Sequence, residues 1–293
     1  MINENFAALI LTNRRPNKVK TIKTLKKHGY TGRFFLVVDD QDPTIDEYIK
    51  NYGKESVVVF DKMEADRMTD SFTNHHDLRS TVYVRNMFWD IARKLGLEYF
   101  IQLDDDYSAF EYRLFIDKAI VKPVKNIDNI INESVKYLKS INAACLCFGQ
   151  GGDFIGGLDD GKSIFRASKR KAMNTFICHV DRPIEFLGRM NEDVNTYVNW
   201  GSKGDLFLTA ENISIVQSST QQVKGGMSET YLENGTYIKS FYTVMCNPSS
   251  VRISMIGETK RRIHHNIDWS LTVPVIIDPK YRKDDDEKPT DRN

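Results

Sequence analysis

The chain has 293 residues, of which 41% are hydrophobic and 28% are charged, and its formal net charge at pH 7 is +1. These values are ordinary for a soluble globular protein and exclude a largely disordered chain. The balanced charge argues against binding of nucleic acid through overall charge, although it permits a local basic face.

The cysteines and the apolar runs favour a cytoplasmic protein that binds no membrane. Cys145, Cys147, Cys178 and Cys246 lack CxxC spacing, which favours reduced, buried thiols. The first apolar run, FAALIL, follows Glu4 and is too short for a secretory signal. No run approaches the ~20 apolar residues that a membrane-spanning helix needs.

Short apolar segments alternate with amphipathic ones in the first third of the chain. After the first apolar run, for example, Val19, Ile22 and Leu25 recur at helical spacing before Gly29. Strands are predicted over 6–12, 33–40, 56–62 and 98–103, and helices over 13–30, 43–53 and 80–97. Strands that alternate with helices indicate a mostly parallel sheet covered by helices on both faces.

From about residue 108 the pattern changes to mixed α+β. Strands are predicted over 143–149, 171–180, 205–217 and 250–257, and helices over 126–142 and 229–246. The last segment, 281–293, is charged and almost without apolar residues, so we expect a flexible tail.

Three consecutive aspartates, Asp104, Asp105 and Asp106, follow the strand predicted over 98–103. Ligands of open α/β sheets bind outside the carboxyl ends of the strands. If the strand continues through the triplet, Asp104 and Asp106 point to the same side about 7 Å apart. We therefore predict that these two carboxylates bind Mg²⁺ or Mn²⁺, which keep phosphate oxygens as further ligands. A turn that uses the aspartates as caps is the alternative.

Polar residues near the ends of other elements are expected to open into the same crevice. Asp39 and Asp40 can accept hydrogen bonds from a base or a ribose, or can form a turn. Arg14 and Arg15 can contact a diphosphate, or can be surface cations. Arg85, in the helix before the acidic strand, can reach a phosphate or form a surface ion pair.

The order of these motifs resembles the glycosyltransferases of the GT-A fold. A basic helix follows the first strand, VVDD ends the second, a later helix carries RN, and LDDD supplies an Asp-x-Asp element, over about residues 5–110. In the second half, FLGRMNEDVNTYV, GGMSETYLENGTYIKSFYTVM and RRIHHNIDW resemble the phage TET-associated glycosyltransferases. The resemblance implies a GT-A-like α/β fold with a mostly parallel, Rossmann-like sheet and an α+β C-terminal half.

The same resemblance implies the reaction and the division of the chain. A sugar would pass from a nucleoside-diphosphate sugar, predicted to be UDP-linked, to a 5-hydroxymethylpyrimidine such as 5-hydroxymethylcytosine in phage DNA, in the host cytoplasm. Residues 1–110 would bind the nucleotide sugar, 111–280 would bind the acceptor and carry catalysis, and 281–293 would be the tail. A protein, lipid or polysaccharide acceptor is the alternative. The sugar, the stereochemical outcome and the oligomeric state stay open.

The resemblance also assigns residues. Asp193 is predicted to be the base that deprotonates the acceptor hydroxyl, with Glu192 orienting it, although Asn191 and the two acids also suit a helix start. His264 and His265 are candidates for a further metal ligand. The donor is predicted to contact Thr12, Arg14, Arg15, Asp39, Asp40, Arg85, Asp104 and Asp105.

Two basic clusters, 166–171 and 260–262, are the predicted contacts to DNA phosphates, with Lys203 and Lys224 as further candidates. Solvated surface charge is the alternative reading of such short runs. A nucleotidyltransferase is less compatible with the sequence, because LTNRRPNK after the first strand contains no glycine-rich phosphate loop. A metal nuclease and a non-catalytic binding module are the remaining rivals.

Overall fold

The computed structural model describes residues 2, 4–73, 77–115, 119–141, 143–150, 171–217, 230, 231, 233, 235, 237–257, 261–272 and 279. The strands there are β1 Phe6–Leu11, β2 Arg33–Asp39, β3 Val57–Phe60, β4 Tyr99–Asp104, β5 Tyr107–Phe115, β6 Ala119–Pro123, β7 Cys145–Gly149, β8 Phe176–His179, β9 Phe207–Gln217, β10 Val251–Ile256 and β11 Arg262–Ile267. The α-helices are α1 Lys20–Lys27, α2 Ile45–Tyr52, α3 Lys62–Arg67, α4 Val82–Lys94, α5 Ile127–Ile141, α6 Glu192–Ser202 and α7 Ile238–Cys246.

Within the described ranges, nine strands form one sheet in the order β3-β2-β1-β4-β8-β7-β9-β5-β6. The strands β3, β2, β1 and β4 are parallel neighbours. The pairings along the rest of the sheet leave β8 and β5 antiparallel to the other seven strands. The α/β class with a mostly parallel sheet is therefore confirmed. A separate antiparallel hairpin, β10–β11, belongs to the C-terminal half.

The first strand shows why the sheet lies in the middle of the protein. Ala7, Ala8, Leu9 and Ile10 of β1 are all 0% exposed. Successive side chains point to opposite faces, so Ala7 and Leu9 join the core that contains α4, while Ala8 and Ile10 join the core that contains α1. Burial on both faces explains why the apolar run is uninterrupted. The polar residues of the site follow such buried runs, so the sheet holds them in place.

One predicted helix is longer than the observed one, and some observed elements were not predicted. The helix predicted over 13–30 is limited to α1, because Pro16 disfavours a helical Arg15 and Arg14 adopts a positive φ of 54°. Helix α3 was not predicted; the Asp61 side chain accepts a hydrogen bond from the Glu64 amide and caps it. Strand β11 was not predicted either.

Several predicted segments lie outside the described residues. These are the tail 281–293, the stretch 218–229 with Lys224, and residues 166–170 and 260 of the two basic clusters. None of the helices in the described part of the chain combines the length and the apolar character needed to cross a membrane.

Candidate active site

The aspartate triplet forms a turn and not a continued strand. Strand β4 ends at Asp104. The next two residues, Asp105 and Asp106, form the turn, and β5 begins directly afterwards. Helix α1 causes the change of direction, since the amides of Lys20 and Thr21 donate to the Asp105 carbonyl at 2.8 and 3.2 Å. The expectation that strand geometry persists through the triplet is therefore wrong, because the first turn of α1 takes its hydrogen-bond acceptors from this backbone.

Asp105 connects the triplet to the loop after β1. Its carboxylate is 5% exposed, accepts a hydrogen bond from Thr12 Oγ1 at 2.7 Å and pairs with Arg15 Nη1 at 3.3 Å. Tyr48 Oη adds contacts to Thr12 Oγ1 and to the Arg15 amide, both at 2.8 Å. The structure thus brings Thr12, Arg15 and Asp105 together; their contact with a donor remains a prediction.

The carboxyl end of β2 meets the same loop. Asp39 accepts a hydrogen bond from Asn13 Nδ2 at 2.7 Å and pairs with Lys62 Nζ at 3.3 Å. Asp40 is exposed, and its Oδ1 accepts the Lys62 amide at 2.9 Å. The Arg14 amide donates to an acid of the following turn, Asp42, at 2.6 Å. Sequence reasoning missed Lys62, although it follows a third parallel strand whose carboxyl end reaches this edge.

Asp104 and Asp106 have the properties of a cation site. Asp106 Oδ1 is buried and has no hydrogen-bond partner among the described residues. Burial, with the charge of Asp105, raises the pKa of Asp106 to about 6. Burial also raises the pKa of Asp104 to about 7, although Arg85 opposes the shift. A divalent cation would satisfy the unpaired oxygen and offset the repulsion between these carboxylates.

No three His, Cys, Asp or Glu side chains within the described ranges are arranged to hold a metal by themselves. Mg²⁺ and Mn²⁺ are commonly bound by one or two carboxylates, such as Asp104 and Asp106, together with the phosphates of a substrate. The residues present therefore fit a cation that arrives with, or is completed by, a diphosphate.

We expect Mn²⁺ to stabilise the protein in a pH-dependent way. Because folding raises the pKa of Asp104 to about 7 and of Asp106 to about 6, the metal-free protein should lose stability as the pH rises from about 4 to about 7. At pH 8, Mn²⁺ at a hundredfold excess over its Kd should raise the melting temperature by about 5 °C, and at pH 5 it should have little effect because protons occupy both carboxyls. Equal shifts of the melting temperature at both pH values would contradict this prediction. The control is Asp181→Asn, which removes an exposed carboxylate and should respond to Mn²⁺ as the wild type does.

Arg85 connects the triplet to the acid pair. Its guanidinium is 2% exposed and donates from Nη2 to Asp104 at 3.1 Å, from Nε to Glu192 at 3.0 Å and from Nη1 to Gln102 at 3.4 Å. Burial opposes its charge, but the carboxylates of Asp104 and Glu192 outweigh burial and raise the pKa of Arg85. Its predicted contact with a donor phosphate remains a prediction, because all three nitrogens already have partners in the protein.

Removing this buried cation should be costly. We expect Arg85→Met to lower the free energy of unfolding by about 3–5 kcal/mol, because it leaves Asp104 and Glu192 without their counter-charge. Arg93→Met on the same helix should cost less than about 1 kcal/mol, because its ion pair with Asp90 is largely exposed. Urea unfolding followed by circular dichroism measures both, and equal losses would show that Arg85 is not a structural counter-charge.

The acid pair begins helix α6. Asn191 takes the N-cap position with φ 60°, but its side chain does not cap the helix and donates to Thr243 Oγ1 of α7 at 2.7 Å. Glu192 Oε1 accepts a hydrogen bond from Thr81 at 2.6 Å. Asp193 is 8% exposed, and burial together with Glu192 raises its pKa. A carboxylate with a raised pKa suits proton abstraction near neutral pH.

The two histidines lie close to the start of α6. His264 and His265 are on β11, with ring centroids 4.1 Å apart, and His265 Nδ1 is 3.4 Å from Asn191 Nδ2. Their predicted role as metal ligands remains a prediction.

Sequence reasoning missed Lys239, which is half-buried on α7. Its charge acts on both Asp193 and Glu192, and its Nζ lies 5.9 Å from the ring centroid of Tyr231. The only sequence signal was one lysine in the apolar segment YIKSFY.

A comparison with known families identifies the family of this chain. A family model described as TET-associated glycosyltransferase matches residues 6–226. The chain belongs to this family. It is accordingly a glycosyltransferase, as the Asp-x-Asp element and the second-half strings predicted. No curated protein matches this TET-associated glycosyltransferase.

Solved structures of other glycosyltransferases are similar to this TET-associated glycosyltransferase at low identity. Glucosyl-3-phosphoglycerate synthase from Mycobacterium tuberculosis, with Mg²⁺ and UDP, is 6% identical over 89% of this chain and 87% of its own, with a TM-score of 0.45. A mannosyltransferase from Pyrobaculum calidifontis, with GDP-Man and Mn²⁺, is 11% identical over 83% and 73%, with a TM-score of 0.45. TarS from S. aureus, with UDP, is 11% identical over 82% and 64%, with a TM-score of 0.41.

Proposed function

We propose that the enzyme transfers a sugar from a nucleoside-diphosphate sugar, UDP-linked, to the hydroxymethyl group of a modified pyrimidine in phage DNA. The family to which the chain belongs supports the sugar transfer, and the DNA acceptor is suggested by the name of that family, TET-associated glycosyltransferase. In this proposal, residues 1–110 bind the donor and 111–280 bind the acceptor.

The donor end is proposed at the carboxyl ends of β1, β2 and β4. Thr12, Arg15 and Asp105 already form one hydrogen-bonded cluster there, and Asp39 lies across the same loop. In this proposal Arg15 binds the diphosphate, since a guanidinium binds phosphate oxygens with two parallel hydrogen bonds. Asp39 is a candidate acceptor for the base or the ribose.

The observation that carries the proposal is the pair of contacts made by Arg85. One guanidinium binds Asp104 of the triplet and Glu192 of the acid pair. The candidate cation site and the residue next to the candidate base are therefore held side by side by one edge of the guanidinium, which supports a donor diphosphate and an acceptor hydroxyl that meet at this position.

The chemistry assigned to these residues is a displacement at the anomeric carbon. Asp193 accepts the proton of the hydroxymethyl group while the oxygen of that group bonds to the anomeric carbon of the sugar. The bond from the anomeric carbon to the diphosphate oxygen breaks at the same time. Glu192, fixed by Thr81 and Arg85, orients the acceptor or the base. Mg²⁺ or Mn²⁺ held by Asp104 and Asp106 would act as a Lewis acid for the departing diphosphate.

The test is a panel of nucleotide sugars with and without Mn²⁺, followed by reaction with hydroxymethylated DNA and mass spectrometry of the digested nucleosides. We expect one nucleotide sugar to raise the melting temperature in a metal-dependent manner and to add one sugar mass to the hydroxymethylpyrimidine. Donor turnover without any sugar added to DNA would refute the acceptor and leave a protein, lipid or polysaccharide as the acceptor to test.

A further inference from the structure

Three side-chain amides lie together at one edge of the sheet, beside the aspartate triplet. Gln150 directly follows β7, Asn174 lies two residues before β8, and Gln217 is the last residue of β9. Asn174 Nδ2 donates to Gln150 Oε1 at 2.6 Å and to Gln217 Oε1 at 2.8 Å. Gln150 and Asn174 are half-buried and Gln217 is exposed, so a ligand can reach this amide cluster.

The topology of the sheet brings the amide cluster to Asp104. Strand β8 is antiparallel to β4 and β7, and β7 is parallel to β9, so the ends of β4, β7 and β9 and the start of β8 meet at one edge. Strand β5 begins at Tyr107, directly after the triplet, and Tyr107 pairs with Gln217. Gln217 therefore lies close to the triplet, with its Nε2 3.5 Å from Asp104 Oδ2.

Asp104 sets the direction of all three amides. An ionised carboxylate only accepts hydrogen bonds, so Gln217 turns Nε2 towards Asp104 and Oε1 towards Asn174. Asn174 then donates with both N–H groups, to Gln150 and to Gln217. Its Oδ1 accepts no hydrogen bond from the described residues, and the contact of Gln217 with Asp104 is too long to occupy the Gln217 donors. The cluster therefore offers an acceptor and a donor to a ligand.

The backbone at Asn174 is held in a conformation that few residues adopt. Its φ is 61°, in the left-handed region where asparagine is enriched among residues other than glycine. Tyr107 is fully buried, and its Oη donates to the Asn174 carbonyl at 3.0 Å. The next side chain, Thr175, accepts the Phe148 amide at 2.8 Å. Backbone conformations of this kind concentrate at ligand sites, so the fixed position of Asn174 indicates a binding role.

A neutral cluster of donors and acceptors beside a cation site suits the sugar of a nucleotide sugar. Asp104 Oδ1 is bound by Arg85, so Oδ2, the oxygen near Gln217, is the one available to a cation that holds the diphosphate. The sugar is attached to that diphosphate and must lie next to it. Sugar hydroxyls both donate and accept hydrogen bonds, and amides offer both functions without a charge that would compete for the cation or the phosphates.

We propose that Asn174 and Gln217 bind hydroxyl groups of the sugar that is transferred, and that Gln150 holds Asn174 in the required orientation. This inference rests on the proposed function, because it needs the diphosphate at Asp104 and Asp106, but it does not depend on the acceptor. The sugar is then selected by residues beyond 110, outside the segment proposed to bind the donor.

The test compares Gln217→Met and Asn174→Gly with the control Asn212→Ala, which removes another exposed amide from β9. Methionine keeps the length of glutamine, and glycine tolerates the positive φ of residue 174. Isothermal titration calorimetry with Mn²⁺ gives the Kd values for UDP, UDP-glucose, UDP-galactose and UDP-N-acetylglucosamine. Thermal unfolding establishes that each variant is folded.

We expect both variants to bind the nucleotide sugar that the wild type prefers about tenfold more weakly, which is the effect of one lost hydrogen bond. The Kd for UDP should change by less than about twofold, and the control should match the wild type for all four ligands. One monodeoxy analogue of the preferred nucleotide sugar should bind the wild type about tenfold more weakly and bind Gln217→Met no more weakly than the parent nucleotide sugar does.

An equal loss of affinity for UDP and for the nucleotide sugar would overturn the inference, because it would show damage to the cation site. Unchanged binding of the nucleotide sugars by both variants would also overturn it, as would a wild type that binds UDP but none of the three nucleotide sugars. If the wild type binds no UDP, or binds it equally without Mn²⁺, the proposed donor end fails and the sugar site fails with it. If the sugar site behaves as expected but hydroxymethylated DNA receives no sugar, only the proposed acceptor fails.

Discussion

Replacing Asp106 with alanine is expected to lower the turnover of sugar transfer by about a thousandfold and to remove the Mn²⁺-dependent part of donor binding. Asp106 Oδ1 is a buried carboxylate oxygen that has no hydrogen-bond partner among the described residues, so the variant would remove the proposed cation ligand without breaking a hydrogen bond of that oxygen. Steady-state kinetics and titration of UDP with and without Mn²⁺ measure the two effects.

The control is Asp181→Ala, which removes an aspartate whose side chain is 78% exposed. Its turnover and its response to Mn²⁺ should equal those of the wild type. If Asp106→Ala keeps normal turnover while the protein remains folded, Asp106 does not hold the cation and the assignment of the triplet fails.

Asp193→Asn should give the second large effect. We expect turnover to fall by about 10²- to 10⁴-fold while the Kd for the donor changes by less than about threefold, because asparagine keeps the shape of the side chain and cannot accept the acceptor's proton. Burial and Glu192 raise the pKa of Asp193, so wild-type kcat should decrease as the pH falls through a value above the ordinary aspartate pKa of about 4.

The residual activity of Asp193→Asn should keep only the acidic limb that comes from protonation of Asp104 and Asp106 and the loss of the cation. A variant with normal turnover would show that another group is the base. An equal loss of donor affinity and turnover would instead indicate that the substitution disturbs Glu192 and Arg85.

The parts of the fold that the sequence predicts well are those with one dominant local signal. Strand β1 is readable because four consecutive residues are buried on both faces of the sheet. Helix α5 is predicted over 126–142 and observed as Ile127–Ile141, because its apolar residues keep a helical period without interruption. Strand β11 was missed because His264 and His265 interrupt the apolar alternation between Ile263 and Ile267.

The site is less predictable because its geometry comes from long-range contacts. The positions of Asp104 and Asp39 could be predicted, because both follow predicted parallel strands, and parallel strands present their carboxyl ends at one edge of the sheet. The turn at Asp105 depends on amides of α1, which are more than 80 residues earlier in the chain. The partners of Arg85 come from residues 17 to 107 positions away, so no sequence window contains them.

The position of Arg85 has a consequence for how activity appears during folding. The planar guanidinium keeps Nε and Nη2 at a fixed spacing, so it fixes the position of Asp104 on β4 relative to Glu192, the first residue of α6. Both hydrogen bonds can form only after α4, β4 and α6 have docked. A chain in which one of these three elements is undocked would therefore hold Asp104 and Glu192 apart, and the two acids would reach their common position only in the folded protein.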